Sequence, residues 1–231
     1  MSADYMNTPL GDLARDIPGA TAVFHANRLD FCCQGHHTLA EAAAKKGVPA
    51  ADVLAQLEAL APGDATMRDW QQAPTAELVE HILTRFHARH REQLPELIRL
   101  ARRVEQVHGD RATCPNGLAD HLSYMAQEME SHMLKEEQIL FPLLLQGRQA
   151  MVGGPISVMR FEHDQHGQAL DEIVRLTNDL TPPEGACNTW QALYRGLEEL
   201  RQDLMQHIHL ENNILFAGSP RPEGSPYCAT A

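Results

Sequence analysis

Cationic side chains are in short supply in this chain: 19 Lys and Arg face 31 Asp and Glu, a formal net charge of -12 over 231 residues. Such a surface cannot blanket phosphates with cations, which argues against nucleic acid and against an anionic membrane as partners. Long apolar runs are missing too. The longest, Ile139 to Leu145, is interrupted by Pro142 and falls far short of the roughly 20 residues that span a bilayer. The start shows no basic stretch followed by an apolar one, so no signal peptide is expected and a cytoplasmic location is the default. Cysteines number five, an odd count that includes the adjacent Cys32 and Cys33. That does not suit the paired framework of a secreted scaffold, and reduced thiols are expected. Aromatic residues reach only 5% and β-branched runs are short, which leaves little from which to build sheets.

What the chain has instead is Ala, Leu, Glu, Gln and Arg, with apolar residues at three- and four-residue spacing, the pattern of amphipathic helices. A hydrophobic fraction of 43% is enough for a packed core. The expected fold class is all-α, an up-down-up-down four-helix bundle with a small helical N-terminal domain. The domains read as 1–63 for the small domain, 74–217 for the bundle and 218–231 for a flexible tail, with Pro62-Gly63-Asp64 as linker. Bundle helices are expected at about 75–107, 117–146, 155–180 and 188–216, separated by Cys114-Pro115-Asn116-Gly117, Gly153-Gly154-Pro155 and Thr181-Pro182-Pro183-Glu184-Gly185. Pro95 should kink the first of them. Thr38 with Glu41 makes a capping box in the small domain.

The chain is also rich in histidine, with 13. Shifting the second half of the bundle onto the first brings several of them into register. At 75 residues, Glu128, His132, Glu136, Ile139, Leu140 and Phe141 fall on Asp203, His207, Glu211, Ile214, Leu215 and Phe216. At 76 residues, His87 and His90 fall on His163 and His166. Each half is thus a helical hairpin with an isolated His followed by an acid-x3-His-x3-Glu run. Residues four apart lie on one helix face, so His132 and Glu136 can serve one centre, as can His207 and Glu211. Apolar residues such as Met125, Met129, Ile139 and Leu143, or Leu204, Ile208 and Leu215, place these groups on a core-facing stripe. Buried charge there is costly unless paired or bound to metal.

Four imidazoles and two carboxylates without a thiolate suit a borderline first-row metal, and two carboxylates on opposite helices can bridge two ions. The expected ligands are His87, His132, Glu136, His163, His207 and Glu211, and the expected cofactor is a pair of non-haem irons, oxo- or hydroxo-bridged when oxidised. Glu128 and Asp203, each four residues before a ligand His, together with Glu162, are candidate acceptors that would fix the imidazoles. His90 and His166 lie about 60° off the ligand face, which suggests a surface or supporting place. His25, His36, His37, His81, His108, His121 and His209 have no repeat partner and are read as non-ligands.

These residues resemble the haemerythrin-like di-iron proteins. The FCCQG segment, HREQLPEL (His90 to Leu97), SHMLKEEQILFP (Ser131 to Pro142) and GPISVM (Gly154 to Met159) further resemble the RIC (repair of iron centres) proteins, the iron-sulfur cluster repair family of YtfE, ScdA and NorA type, over residues 8–216. The resemblance implies the same six ligands, with the two glutamates bridging. It departs from oxygen-carrying haemerythrins at Gly167, where they place a histidine, and at Asn212, where Glu211 takes over the role of their ligand. One histidine fewer leaves the irons more open, which favours binding a small reactive ligand over reversible oxygen carriage.

The implied function is a response to nitrosative and oxidative stress. It combines nitric oxide binding, or O2 as an alternative ligand, with restoration of damaged iron-sulfur proteins by iron donation. Adjacent ferrous sites could also hold two NO molecules for slow reduction to N2O. The alternative is a haemerythrin-like O2 or NO sensor, or an iron-binding protein without turnover. The protein is expected as monomer or homodimer. Cys32 and Cys33 are candidates for a thiol role in NO or iron transfer, on a loop that Gly35 keeps flexible.

Overall fold

The computed structural model describes residues 4–60 and 68–217, so the Pro62-Gly63-Asp64 segment and the tail over 218–231 lie outside the described residues. Among the described residues the fold is helical throughout, with one isolated antiparallel bridge, Pro9 to Thr38. No helix among them is long and apolar enough to cross a membrane. The chain divides into two compact units, one comprising Met1–Leu78 with Met205–Gly218 and the other Val79–Leu204 in the core of the chain.

In the first unit α1 (Leu10–Asp16), α2 (Ala20–Ala26), α3 (Leu39–Lys46) and α4 (Ala50–Glu58) are short. Thr38 caps α3 as a capping box: its side chain accepts from Glu41 N at 3.3 Å while its own N–H reaches Glu41 Oε2 at 2.9 Å. Leu10, Phe24, Leu29, Leu39 and Val53 are fully buried and form the centre of the unit. Between α2 and α3 runs the Phe31 to His37 loop. Gly35 packs it rather than loosening it, which corrects the expected flexibility. A Cβ on Gly35 would stand 2.5 Å from the Phe31 carbonyl oxygen and 3.1 Å from Gly11 Cα, and Gly11 N donates to the Gly35 carbonyl at 2.8 Å.

The bundle helices are α5, continuous over Thr75–His81, Ile82–His87 and Ala88–His108, α6 over Leu118–Lys135, Glu136–Leu140 and Phe141–Leu145, α7 (Gln149–Leu176) and α8 over Asn188–Leu210 and Glu211–Leu215. Within Val79–Leu204, α6 packs against α5 and α7. The first part of α8 lies on α5, where Gly196 brings its backbone against Leu97 and Arg89 and Arg85 pair with Glu199 and Asp203. This is the four-helix bundle with an N-terminal helical part. α5 continues through Pro95.

Two boundaries differ from expectation. The break before α7 falls at Gly147, in the left-handed region at φ 68°, and Gly153-Gly154-Pro155 lies inside the helix. A proline there removes one backbone hydrogen bond, and burial of Val152 and Ile156 on either side holds the turn. At its other end α7 stops at Leu176 because Asn178, Asp179 and Leu180 all take positive φ. Thr177 Oγ1 donates to the Ile173 carbonyl at 2.7 Å and accepts from Leu180 N at 3.1 Å, fastening this left-handed exit.

α5, α6 and α8 each contain a π-turn, at Ile82–His87, Glu136–Leu140 and Glu211–Leu215. They close through N–H groups five residues on: Ala88 to Leu83, Phe141 to Glu136, and Phe216 to Glu211. The last two obey the 75-residue repeat. In α6 the cause is visible in the sequence, because Pro142 has no N–H to offer Gln138 and the turn widens to the five-residue bond. One extra residue rotates everything after it by about 100°. Ile139 is consequently exposed and Leu143 half-buried, while Leu140, Phe141 and Leu144 face inward. Likewise Phe216 is buried and Leu215 only partly so. The apolar stripe expected after each glutamate is thereby corrected by one residue.

Candidate metal centre

α6 contributes His132 and Glu136 one turn apart, with the π-turn opening at the glutamate. Glu136 is fully buried, as are His87 from α5 and His163 from α7, and His132 is 2% exposed. Glu136 Oε2 stands 3.3 Å from His87 Nε2 and 3.4 Å from His132 Nε2, so a single carboxylate faces imidazoles from two helices. His163 Nε2 lies 3.2 Å from His132 Nε2. The ligand atoms of His132, Glu136 and His163 all lie within 4.8 Å of one another.

The outer ring nitrogens are engaged by carboxylates. His87 Nδ1–H donates to Glu137 Oε1 at 2.8 Å, and His132 Nδ1–H to Glu162 Oε2 at 2.9 Å. A carboxylate accepts, so both rings carry their proton on Nδ1 and turn a lone pair on Nε2 inward, the tautomer a metal needs. Burial alone would raise Glu137, but hydrogen bonds from Arg91 and His87 outweigh it and hold the carboxyl below its usual range. Glu162 behaves alike: burial raises it, His132 and Lys135 lower it further, and the net direction is down. Arg91 in turn bridges Glu137 and Glu130, at 2.8 Å to each. Phe141 stacks on the His87 ring at 5.8 Å between centroids and screens it from water.

In the other unit the end of α8 presents the repeat of this arrangement. His207 and Glu211 are 1% and 0% exposed, with His207 Nε2 3.3 Å from Glu211 Oε1. The position that repeats Glu137 is Asn212, and it does something different: its amide donates to the Cys32 carbonyl at 3.0 Å. Asn213 donates to the Phe31 carbonyl at 3.2 Å and to His209 Nδ1 at 2.9 Å. Burial, with a smaller contribution from Arg15, lowers His209 to about 4, so it stays neutral.

Of the three candidate acceptors, Glu162 meets His132 as described. Glu128 lies on the exposed face of α6, and Asp203 pairs with Arg85 at 2.5 Å. Glu137, which meets His87, is not among the candidates that spacing gives; the doubled acid Glu136-Glu137 is its signal. His90 and His166 are buried, correcting a surface place, and the His166 ring stands edge-on to His132 at 4.9 Å. Cys32 and Cys33 are buried cysteines not joined in a disulfide, with sulfurs 3.4 Å apart. Hydrogen bonding to Cys33, then burial, then the Asp30 carboxylate push the Cys32 thiol well up.

Buried imidazoles and carboxylates with their outer faces occupied form a nitrogen and oxygen donor set suited to iron. The Hemerythrin HHE cation binding domain family matches residues 78–217, and the N-terminal domain of ScdA, a domain of unknown function, matches residues 6–61. The Iron-sulfur cluster repair protein YtfE of Pectobacterium atrosepticum is 52% identical over 219 residues, 95% of this chain and 99% of that protein. The chain belongs to the haemerythrin-like RIC family. Other RIC relatives of the same name are 53% identical in Yersinia pseudotuberculosis and 52% in Yersinia pestis, each over 220 residues, 95% of this chain and all of theirs. The RIC assignment carries a non-haem di-iron cofactor, with which the buried His and Glu groups agree.

Proposed function

We propose that this chain acts in the nitrosative and oxidative stress response, helping to repair damaged iron-sulfur proteins and binding nitric oxide at its di-iron centre, with NO reduction to N2O as a slow further activity. The relatives carry cluster repair in their names. The proposed ligands are His87, His132, Glu136, His163, His207 and Glu211, the six that the sequence repeat and the family resemblance single out, and the two glutamates would bridge. The observation that carries this reading is Glu136, a fully buried carboxylate held between imidazoles of α5 and α6 whose Nε2 lone pairs both face it.

A ferrous pair held there would supply open coordination positions and two electrons, the chemistry that NO binding and its reduction require. The chain's own part is positional. Glu137 and Glu162 keep the His87 and His132 protons on Nδ1, so neither ring has to change tautomer when iron is bound or released. Phe141 covers the His87 ring and keeps water from it. Four histidines and two shared glutamates would not fill the coordination of two irons, which would leave a position free for a diatomic ligand. Anaerobic titration of the reduced, iron-loaded protein with NO should give a nitrosyl spectrum. Absence of that spectrum with both irons present contradicts NO binding.

A further inference from the structure

One buried group of metal-ligating side chains lies outside the histidine and glutamate set. Asp30, Cys32 and Cys33 have their ligand atoms within 4.8 Å of one another, and both thiols are almost completely buried. Cys32 Sγ is 3.4 Å from Cys33 Sγ and 3.3 Å from Asp30 Oδ1. A tetrahedral divalent ion with sulfur at about 2.3 Å and oxygen at about 2.0 Å sets its sulfurs roughly 3.8 Å apart and sulfur to oxygen roughly 3.5 Å. These two separations therefore need to open by only a few tenths of an ångström. A stable disulfide is not the alternative, because adjacent cysteines close a strained ring.

The surroundings hold the three residues in place. Backbone N–H groups of Cys32 and Cys33 donate to Asp30 Oδ1 at 3.1 and 2.9 Å and fix the carboxylate beside the sulfurs. Asn212 and Asn213, which follow Glu211 on α8, hold the carbonyls of Cys32 and Phe31. The close packing of Gly35 on Gly11 locks the far side of the loop.

We propose that Asp30, Cys32 and Cys33 form a second, separate metal site, which holds one divalent first-row cation through two thiolates and one carboxylate and leaves a fourth position open. Both thiol protons pass to solvent when the ion binds, and the charge of the ion offsets that of the buried sulfurs. In the working protein the ion is cargo Fe(II). This use, though not the site itself, rests on the reading of the chain as an iron donor. A thiolate site with an open position suits an ion that must be handed on.

The test uses the full chain, iron-loaded, reduced and anaerobic, titrated with Co(II). Only sulfur ligands give a thiolate-to-cobalt charge-transfer band, and the histidine-glutamate centre has none. The expected result is one cobalt per chain with this band. The band should disappear in Cys32→Ser and in Cys33→Ser, affinity should fall roughly tenfold or more in Asp30→Asn, and the band should persist in His132→Ala. A wild-type protein without the band, a band that survives both cysteine substitutions, or unchanged affinity in Asp30→Asn overturns the site. Iron counts on the same samples separate the two readings: no band with two irons retained removes this site alone, and a band without iron removes the di-iron reading alone.

Discussion

At the scale of single residues, the ring nitrogens that face away from Glu136 decide how the ligands behave. Glu162 and Glu137 each hold a histidine proton on Nδ1. Glu162→Gln keeps the shape and removes the charge, and iron affinity is expected to fall roughly 10- to 100-fold, as measured by competition with a chelator. The pairing of His132 with Glu136 is legible in the sequence, because a four-residue step on a helix fixes a shared face. Glu137 is not legible in the same way: its own helix turns it about 100° from Glu136, and only the packing of α5 on α6 brings His87 to it. The cysteines separate by exposure and charge state. Cys187 is exposed, whereas Cys32 is buried and its thiol is pushed up. A raised thiol value means little thiolate near neutral pH, so iodoacetamide should label Cys187 well before Cys32, with Cys32 gaining only as pH rises far into the alkaline range. Peptide mapping of partly alkylated metal-free protein checks this, and equal labelling of the two near neutral pH contradicts it.

At the scale of elements, close backbone approach and the π-turns carry the structure beyond what periodicity shows. Gly35 and Gly196 each have an atom where a Cβ would stand, but of different kinds. At Gly35 the obstacle is the Phe31 carbonyl at 2.5 Å, which is backbone; at Gly196 it is the end of the Leu97 side chain at 2.7 Å, which can turn away. Gly35→Ala is expected to cost about 2 kcal/mol and Gly196→Ala less than about 1 kcal/mol in urea unfolding. A larger loss at Gly196 would show that Leu97 cannot yield. Helix existence and order follow from the spacing of apolar residues, but the register after Glu136 and Glu211 does not, since each π-turn adds a residue that a constant period cannot contain. Pro142 marks the first of these turns; the second, at Glu211, has no proline and is visible only through the 75-residue repeat. The Gly153-Gly154-Pro155 segment misleads in the opposite sense, because breaker residues are tolerated where their neighbours are buried.

At the scale of the whole molecule, the histidine excess and the acidic balance are linked. A charge of -12 is counted without metal, and fully buried Glu136 and Glu211 are among the acids that contribute to it. Such carboxylates are costly in the core unless an ion compensates them. Removing iron with a chelator should therefore lower the melting midpoint, with recovery on adding Fe(II) under anaerobic conditions. An unchanged midpoint would mean that the centre is fully compensated without metal. The central claim is that six residues drawn from both halves of the repeat hold two irons. Its most direct measurement is the metal content of anaerobically purified protein, in wild type and in His132→Ala and Glu211→Ala, one from each half. Two irons per chain in the wild type, lost in both variants, are predicted; stoichiometric zinc, or iron retained when either residue is removed, would contradict the account.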